Sequence, residues 1–367
     1  MAVLCIACGY EANAQQTPAG PASSKPLHDD ARTMSEAERL ETLSRAHVWR
    51  APRVPISEAD LGRDPAVARH LTCKFKITEL GGTTPKFDCD LETGEEVRIK
   101  YGKGPEIPAE AAATRLLNAL GFAADDVTLV ERLRCYGCPK EPFSTMKAVE
   151  LTRAQPLYKR ILDYEGYEEF EWVARERKFP ARPILTDRIE GWAFFELEKI
   201  EEARGGAPRA HVDALRLMAI FLSQWDNKSE NQRMVCLASH WPDNTPCPEP
   251  FLLLQDVGAT FGPSKMDLKA WEAVKMWHDR ATCTVSMQEL PYNGATFADV
   301  RVSEAGRQLL GRMLLALSDR QLSDLFSGAQ FARKRGLFGA PHSVAEWVRV
   351  FRAKARAIID GPPCPAV

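Results

Sequence analysis

The sequence lacks a strong excess of charge of either sign, a long hydrophobic run and a repeat of fixed period. Its 367 residues carry a net charge of −2 with an isoelectric point of about 6.4, which argues against a dedicated nucleic-acid surface, because such surfaces show clustered lysine and arginine. No stretch beyond the N-terminus is apolar for long enough to cross a bilayer. Since 45% of the residues are hydrophobic, we expect a globular chain with one large core or two lobes.

Cysteine is present in an even number once the N-terminus is set aside. Cys5 and Cys8 lie in the first apolar run, and eight cysteines remain. An even count is typical of disulfides in an oxidising compartment, although it does not show which cysteines pair. The C-x-x-C spacing of Cys135–Cys138 also fits a redox pair, or half of a zinc site that His70 and Cys73 would complete. We favour disulfides among the eight, which are Cys73, Cys89, Cys135, Cys138, Cys236, Cys247, Cys283 and Cys364.

Residues 1–14 have features of a secretory signal. A short apolar run precedes Ala12-Asn13-Ala14, which has the A-x-A form of a signal-peptidase site, but the basic residues that normally open such a signal are missing. We predict that these residues are the end of a longer, truncated signal peptide, and therefore that the protein is exported to the periplasm or the cell exterior. The alternative is an ordinary apolar N-terminus of a cytoplasmic protein. Residues 15–55, rich in Pro, Ala, Ser and charge, are expected to form an extended segment with a helix near 34–46.

Residues 56–145 begin with three segments in which apolar and polar residues alternate, at 73–77, 87–91 and 97–101. Glycine-containing turns separate the segments, as expected between neighbouring strands. We therefore predict three antiparallel strands, with Lys100 on the third and on the face opposite its apolar residues.

A helix is predicted after the third strand. Pro108 lies near its first turn, and Gly121 is the signal that ends it. Glu110 in the first turn could pair with Lys100, and Glu106 is the competing candidate.

The turn that contains Gly81 and Gly82 would let backbone amides approach a phosphate, and Lys86 follows this turn. Each feature has an ordinary explanation when taken alone: a glycine pair forms a hairpin loop, a strand lysine is solvated, and an acid in a first turn suits the helix dipole. Their order along the chain is what favours a phosphate-binding site.

Residues 146–360 are predicted to be mostly helical. An apolar stripe over 211–224 predicts a buried helix that ends at Trp225. Because the sequence then turns abruptly polar, residues 226–231 should form a loop at a cleft, where catalytic groups tend to lie. The ordinary alternative is a helix C-terminus followed by a polar turn.

A carboxylate follows the next apolar run. Phe251–Leu254 predicts a short buried strand, Asp256 is exposed at its end, and Gly258 permits a sharp turn. Together with Asn231, Asp256 offers the hard oxygen ligands that Mg²⁺ prefers. We therefore predict a divalent metal site at Asn231 and Asp256.

The order of these motifs resembles the signature of the protein-kinase-like superfamily. The pattern is Val97-x-Ile99-Lys100, Glu110, Asp226-x-Lys228-x-Glu230-Asn231 and Asp256-x-Gly258. The glycine turn is similar to the short glycine loop of HipA-like kinases, and these, the phosphoinositide kinases and the secretory-pathway kinases vary the same positions. The chain departs from typical kinases because it has no G-x-G-x-x-G and no A-P-E, Trp225 stands in place of the Arg of H-R-D, and Val257 stands in place of the Phe of D-F-G.

The resemblance implies an α+β, two-lobed fold with a small antiparallel β-rich N-lobe carrying one helix and a mostly helical C-lobe. It implies an atypical kinase that uses ATP and Mg²⁺ or Mn²⁺ to phosphorylate a hydroxyl acceptor, a protein or a small molecule. The implied roles are ATP positioning by Lys100 and Glu110, phosphate binding by Gly81, Gly82 and Lys86, orientation of the acceptor by Asp226, stabilisation of the transferred phosphoryl group by Lys228, and metal binding by Asn231 and Asp256.

Two other functions stay open at this stage. A pseudokinase or exported binding protein would keep the fold, and an adenylyl transferase would use the same cleft with the nucleotide inverted. Export favours the binding protein because ATP is scarce outside the cytoplasm, whereas the complete set of catalytic residues favours an enzyme. Two smaller hypotheses are a Cys236–Cys247 disulfide that closes the insertion between the two polar motifs, and a segment at Glu190–Phe195 that receives adenine.

Overall fold

A computed structural model describes residues 31–62, 69–242, 245–263, 265–291, 296–333 and 341–366. The predicted signal peptide, residues 1–14, lies outside the described residues, as do residues 15–30 of the predicted extension. Helices and sheets are both present, so the fold class is α+β. Across the described ranges, no helix is long and apolar enough to cross a membrane.

Eleven strands and nine α-helices are found in the described residues. The strands are β1 Arg32–Thr33, β2 His70–Lys76, β3 Lys86–Leu91, β4 Glu96–Lys100, β5 Asp126–Tyr136, β6 Tyr167–Arg177, β7 Arg182–Leu185, β8 Gln232–Cys236, β9 Pro250–Leu254, β10 Thr284–Val285 and β11 Val300–Arg301. The helices are α1 Glu36–Ser44, α2 Glu106–Ala119, α3 Pro142–Leu151, α4 Gln155–Ile161, α5 Arg209–Leu222, α6 Leu268–Ala273, α7 Glu304–Ala316, α8 Asp319–Gly328 and α9 Val344–Ile359.

Five strands close into a barrel in the order β2-β3-β4-β6-β5. The pairs β2–β3 and β3–β4 are antiparallel, as predicted. Apolar side chains of alternate strand positions fill the barrel, where the Phe87 ring lies 5.1 Å from that of Phe170 and 6.0 Å from that of Phe75.

The prediction of an antiparallel sheet with one helix is corrected in two respects. Helix α2 returns the chain across the barrel, so β5 runs parallel to β2 and closes the sheet. Two short helices, α3 and α4, then lie between β5 and β6. Because β6 pairs with both β4 and β5, the barrel also continues past residue 145, where the predicted N-lobe ends.

A second sheet has the order β1-β7-β8-β9. Strand β9 is buried along its whole length, which is why its sequence is apolar without alternation. Its antiparallel register with β8 pairs Leu254 with Gln232. The loops that carry the two polar motifs, 226–231 before β8 and 255–258 after β9, therefore lie side by side.

Helices α5 to α9 form the remainder of the core around an aromatic cluster. The predicted stripe over 211–224 corresponds to α5. A capping box opens each of the helices α8 and α9. Phe261 ties the segment after β9 to this core, because its ring lies 5.2 Å from that of Trp271 and its backbone N–H donates to the Leu222 carbonyl at 2.7 Å.

Residues 31–55, the described part of the predicted extended segment, belong to the folded body. The predicted helix is present as α1, and Leu43 is fully buried. Arg39 is also buried, where its Nη2 contacts Glu196 Oε2 at 2.8 Å. This buried ion pair and the β1–β7 pairing hold the segment in place.

All eight cysteines of the described chain are paired. The pairs are Cys73–Cys89, Cys135–Cys138, Cys236–Cys247 and Cys283–Cys364. The predicted Cys236–Cys247 bridge is therefore present. Since Cys73 pairs with Cys89, it does not complete a zinc site with the C-x-x-C motif, and the described residues contain no group of three or more His, Cys, Asp or Glu that could hold a metal.

Candidate functional site

Lys100, the last residue of β4, is buried together with Glu110 of α2. The Lys100 ammonium donates to Glu110 Oε1 at 2.6 Å and Oε2 at 2.8 Å. The side chains are 3% and 2% exposed. Of the two acidic candidates in α2, the structure thus places Glu110, and not Glu106, on the lysine. Burying either charge without the other would be strongly destabilising, so the two residues act as a unit.

Two further carboxylates contact the same ammonium. Asp256 Oδ1 lies 3.2 Å from Lys100 Nζ, and Glu176 Oε2 lies 3.3 Å from it. Burial opposes the charge of Lys100, but Asp256 and the two glutamates outweigh burial and raise its pKa well above that of a free lysine. The site therefore keeps a charged lysine among three acids.

The three acids respond differently to this shared lysine. Burial raises the pKa of Glu110, and the charges of Asp256 and Glu176 add to the effect, although Lys100 opposes it. Lys100 lowers the pKa of Asp256, whose side chain is 43% exposed. The single positive charge of Lys100 therefore lies among three acidic side chains. Of these three, Asp256 is the one that is open to solvent.

A chain of polar groups links Glu176 to the backbone that carries Asp256. Lys178 contacts Glu176 and also Asp125, from which its Nζ is 3.0 Å distant. The Gln255 amide donates to the two Asp125 carboxylate oxygens at 2.9 Å and 3.1 Å. Because Gln255 immediately precedes Asp256, this chain fixes the end of β9 against the barrel.

Asp226 begins a short loop after α5, and Asn231 ends it. The Asn231 amide Nδ2 donates to the Asp226 backbone carbonyl at 2.7 Å. The Gln255 backbone N–H in turn donates to the Asn231 carbonyl at 3.0 Å. The structure therefore brings Asp226, Asn231 and Asp256 to one place through backbone contacts.

The Asp226 and Lys228 side chains face outward from this loop. Asp226 is 30% exposed and Lys228 is 45% exposed, with 3.9 Å between Asp226 Oδ1 and Lys228 Nζ. Burial raises the pKa of Asp226, Lys228 opposes the shift, and Asp256 adds to it. Asp226 is therefore a partly exposed carboxylate whose affinity for a proton is increased.

The glycine turn lies over Lys86, the first residue of β3. A Cβ atom at Gly82, where φ is 72°, would lie 3.3 Å from Lys86 Nζ. Gly81 precedes this position in the same turn. The register of β3 and β4 pairs Lys86 with Lys100, so the two side chains share a face of the barrel.

Lys86 differs from Lys100 in having no counter-charge in contact. It is 7% exposed, and within the described chain its side chain makes no hydrogen bond or ion pair. Burial, and next the charge of Lys100, lower the pKa of Lys86 to about 8. A buried ammonium without a partner is a site where an anion would bind favourably.

Glu106, the first residue of α2, joins the glycine turn to the segment after β9. Its Oε1 accepts a hydrogen bond from the Thr84 hydroxyl at 2.5 Å, and its Oε2 accepts one from the Lys265 ammonium at 2.5 Å. Gly258 packs directly on Glu106, because a Cβ atom there would lie 2.3 Å from Glu106 Cγ.

No protein-family model matches the chain, and no curated protein matches it in sequence. Among solved structures, the chain is similar to the Helicobacter pylori proinflammatory kinase CtkA. The TM-score is 0.41 and the sequence identity 9%, with 79% of this chain and 98% of that chain covered. A superposition of this quality assigns neither a family nor an activity.

Several residues of the site were not predicted from the sequence. They are Thr84, Asp125, Glu176, Lys178, Gln255 and Lys265. Glu176 lies near the end of β6 and Lys178 follows that strand, in a run of charged residues that is typical of a solvated edge. Only closure of the barrel buries Glu176. Gln255 could have been predicted, because it is a polar residue that follows a fully apolar run and directly precedes the predicted site residue Asp256.

Part of the segment Glu190–Phe195, considered above for adenine, is buried in the large core. Trp192 and Phe194 are fully buried in the large core, and Trp192 Nε1 donates to the Leu253 carbonyl at 3.2 Å. The connection from the barrel to the second sheet is formed by residues 178–181, between β6 and β7.

Proposed function

We propose that this protein is an atypical kinase, an ATP- and divalent-metal-dependent phosphotransferase that transfers the γ-phosphoryl group to a hydroxyl acceptor, a protein or a small molecule. The observation that carries the proposal is the contact of Lys100 with both Glu110 and Asp256. A strand lysine, a helix acid and a carboxylate after a second buried strand come from three separate elements, and phosphoryl transfer in kinases uses these groups together.

The fold supports a two-lobed, protein-kinase-like arrangement. In this proposal, the barrel with α2 is the small lobe, and the second sheet with α5 to α9 is the large lobe. The link at 178–181 would be the hinge between the lobes. The site residues lie where the end of β4, the start of α2 and the end of β9 meet, which is where a nucleotide between two lobes would bind.

The proposed nucleotide site contains two lysines and a glycine turn. Lys100 would contact the phosphates while Glu110 holds it in place. Lys86 has no protein partner in the described chain, so the phosphates would supply its missing counter-charge. The Gly81-Gly82 turn above Lys86 would allow the backbone to approach the phosphates closely.

Asn231 and Asp256 fit a divalent metal such as Mg²⁺ or Mn²⁺. The Asn231 amide nitrogen is engaged with the Asp226 carbonyl, which leaves its oxygen as the ligand atom. Asp256 is the exposed member of the acidic set. Mg²⁺ is commonly held by one or two carboxylates with substrate phosphates completing its shell, so a smaller protein donor set suffices. When bound, the metal would neutralise charge on the triphosphate.

Asp226 is the proposed group that orients the acceptor hydroxyl. Its raised pKa suits a carboxylate that accepts a proton as the hydroxyl attacks. Lys228, which lies beside it and is 45% exposed, is placed to steady the negative charge on the transferred group. We also propose export of the protein, which the four disulfide pairs and the pattern of residues 1–14 support.

The deciding experiment is an incubation of the purified protein with ATP and Mg²⁺ or Mn²⁺, followed by mass spectrometry of the nucleotides and of the protein. We expect ADP, and a rate that falls by about 10²- to 10⁴-fold in Asp226→Asn. The matched control is Asp324→Asn, which makes the same change at an exposed position of α8.

The alternative functions give different results in this experiment. Transfer of AMP to protein would identify an adenylyl transferase. Nucleotide binding without turnover under either metal would favour the pseudokinase or binding protein. If no nucleotide binds at all, the proposed function is wrong.

A further inference from the structure

A carboxylate fills the space between the glycine turn and the segment that follows β9. Glu106 takes two hydrogen bonds there, from the Thr84 hydroxyl and from the Lys265 ammonium, each at 2.5 Å. Its side chain is 16% exposed, and that of Lys265 is 23% exposed. A hydroxyl and an ammonium converging on one anionic group are also the donors that bind phosphate oxygens.

This cluster lies beside the groups proposed for phosphoryl transfer. Gly258, two residues after Asp256, packs on Glu106. Lys265 Nζ lies 5.8 Å from the centre of the Trp225 ring, next to Asp226 in sequence. Burial raises the pKa of Asp226, and Lys265 and Glu106 act on it in opposite directions, which places both charges close to that carboxylate.

We propose that Thr84 and Lys265 form a binding subsite for the terminal phosphate of the nucleotide, and that Glu106 occupies this subsite in the ligand-free protein. The inference rests on the proposed function and adds residues that the kinase-like motifs do not include. An entering phosphate would take the same two donors and displace the carboxylate. Glu106 therefore competes with the ligand, and its release accompanies binding of the triphosphate.

The segment that carries Lys265 is held in an unusual backbone conformation. Four of the nine non-glycine residues with positive φ in the described chain fall within it, and they are Asp256, Phe261, Lys265 and Met266. Such conformations cost free energy and persist only where the surroundings fix them. The hydrogen bond of Phe261 to the Leu222 carbonyl provides one such anchor. Lys265 is thus presented from a fixed position, as a binding residue should be.

The test is a calorimetric comparison of Kd for ATP–Mg²⁺ and ADP–Mg²⁺ in the full chain. We expect Glu106→Gln to bind ATP about tenfold more tightly than the unmodified protein, because a competing charge is removed. Lys265→Met should bind ATP about tenfold more weakly, since it loses a charge-assisted hydrogen bond to phosphate. Affinity for ADP, which lacks the terminal phosphate, should change by less than about twofold in both variants.

The matched control is Glu169→Gln on β6, which removes a carboxylate from an exposed ion pair with Arg134 of β5. It should leave both affinities unchanged. A second readout is amide hydrogen exchange of residues 79–86 in the ligand-free protein, which should be faster in Glu106→Gln because the contact to Thr84 is weakened. Unaltered exchange elsewhere would show that this variant is folded.

The outcomes separate this inference from the proposed function. If the protein binds ATP but Glu106→Gln binds it no more tightly, or if ATP and ADP respond equally, the subsite is wrong and the kinase proposal stands. If neither the unmodified protein nor Glu106→Gln binds nucleotide, the proposed function is wrong and the subsite falls with it.

Discussion

Two lysines are buried to a similar degree in different halves of the molecule, and their surroundings are opposite. Lys100 in the barrel is 3% exposed and Lys354 in α9 is 5% exposed. Lys100 is surrounded by three carboxylates. Lys354 donates to the Val274 carbonyl at 2.7 Å and lies 5.7 Å from the centre of the Trp271 ring, with no acid in contact among the described residues.

The two sites resolve the cost of burying an amine in different ways. Burial lowers the pKa of Lys354 to about 7, so this side chain loses its proton readily. At Lys100 the acids overcome burial and raise the pKa, so the charge is kept. A packed core needs no such charge. Perturbed ionisable groups of this kind, with acids buried around a charged lysine, are typical of functional sites.

The largest effect is expected when Lys100 is replaced by Met. The change leaves Glu110 and Glu176 buried without their shared cation, and removal of one partner from a buried ion pair costs about 3–5 kcal/mol. Urea unfolding at pH 7 measures this loss. Lys76→Met is the control, because Lys76 is 39% exposed and its ion pairs are worth less than about 1 kcal/mol. Equal losses in the two variants would show that the buried acids do not depend on Lys100.

A smaller effect on stability is expected for Lys354→Met, and this effect should depend on pH. Between the folded pKa of about 7 and the unfolded value of about 10.4, the unfolded chain holds a proton that the folded chain has released. Stability of the unmodified protein should therefore rise with pH in this window. The free energy of unfolding of Lys354→Met, taken relative to that of the unmodified protein, should fall by about 2 kcal/mol from pH 7 to pH 9.

Urea unfolding at the two pH values checks this prediction. Lys275→Met, at an exposed position, is the matched control and should follow the unmodified protein at both. If the difference in unfolding free energy between Lys354→Met and the unmodified protein is the same at pH 7 and pH 9, Lys354 does not titrate between these values. The two lysines would then not differ in protonation as proposed, because Lys100 keeps its proton throughout this range.

The smallest effect concerns Lys86, which lies beside Lys100 but lacks its acids. With a pKa of about 8, Lys86 is charged at pH 7 and mostly neutral at pH 9, so phosphate binding should weaken as pH rises. We expect ATP–Mg²⁺ to bind up to about tenfold more weakly at pH 9 than at pH 7, about 1.4 kcal/mol. Calorimetry on Lys86→Met should show weak binding that is nearly independent of pH. The same pH dependence in the variant and the unmodified protein would exclude Lys86 from the anion site.

The strand and helix signals of the sequence predicted much of the fold because they are local. Alternation marked β2, β3 and β4, a 3.6-residue stripe marked α5, and an unbroken apolar run marked β9. Closure of the barrel was not predicted because it depends on β6, which is distant in sequence and pairs with both β4 and β5. The polar, aromatic sequence before and within β6 carries no signal for that pairing.

The order of polar residues along the chain was sufficient to nominate Lys100, Glu110, Asp226, Asn231 and Asp256 as site residues, since each lies in or near a recognisable strand or helix. The sequence favoured Glu110 over Glu106 as the partner of Lys100, and the structure shows the Lys100–Glu110 contact. Packing alone decided that Glu176 contacts Lys100 and that Glu106 bridges Thr84 and Lys265. A side chain's charge is a property of the sequence, whereas the partner that it meets depends on which distant strands and helices the fold brings together.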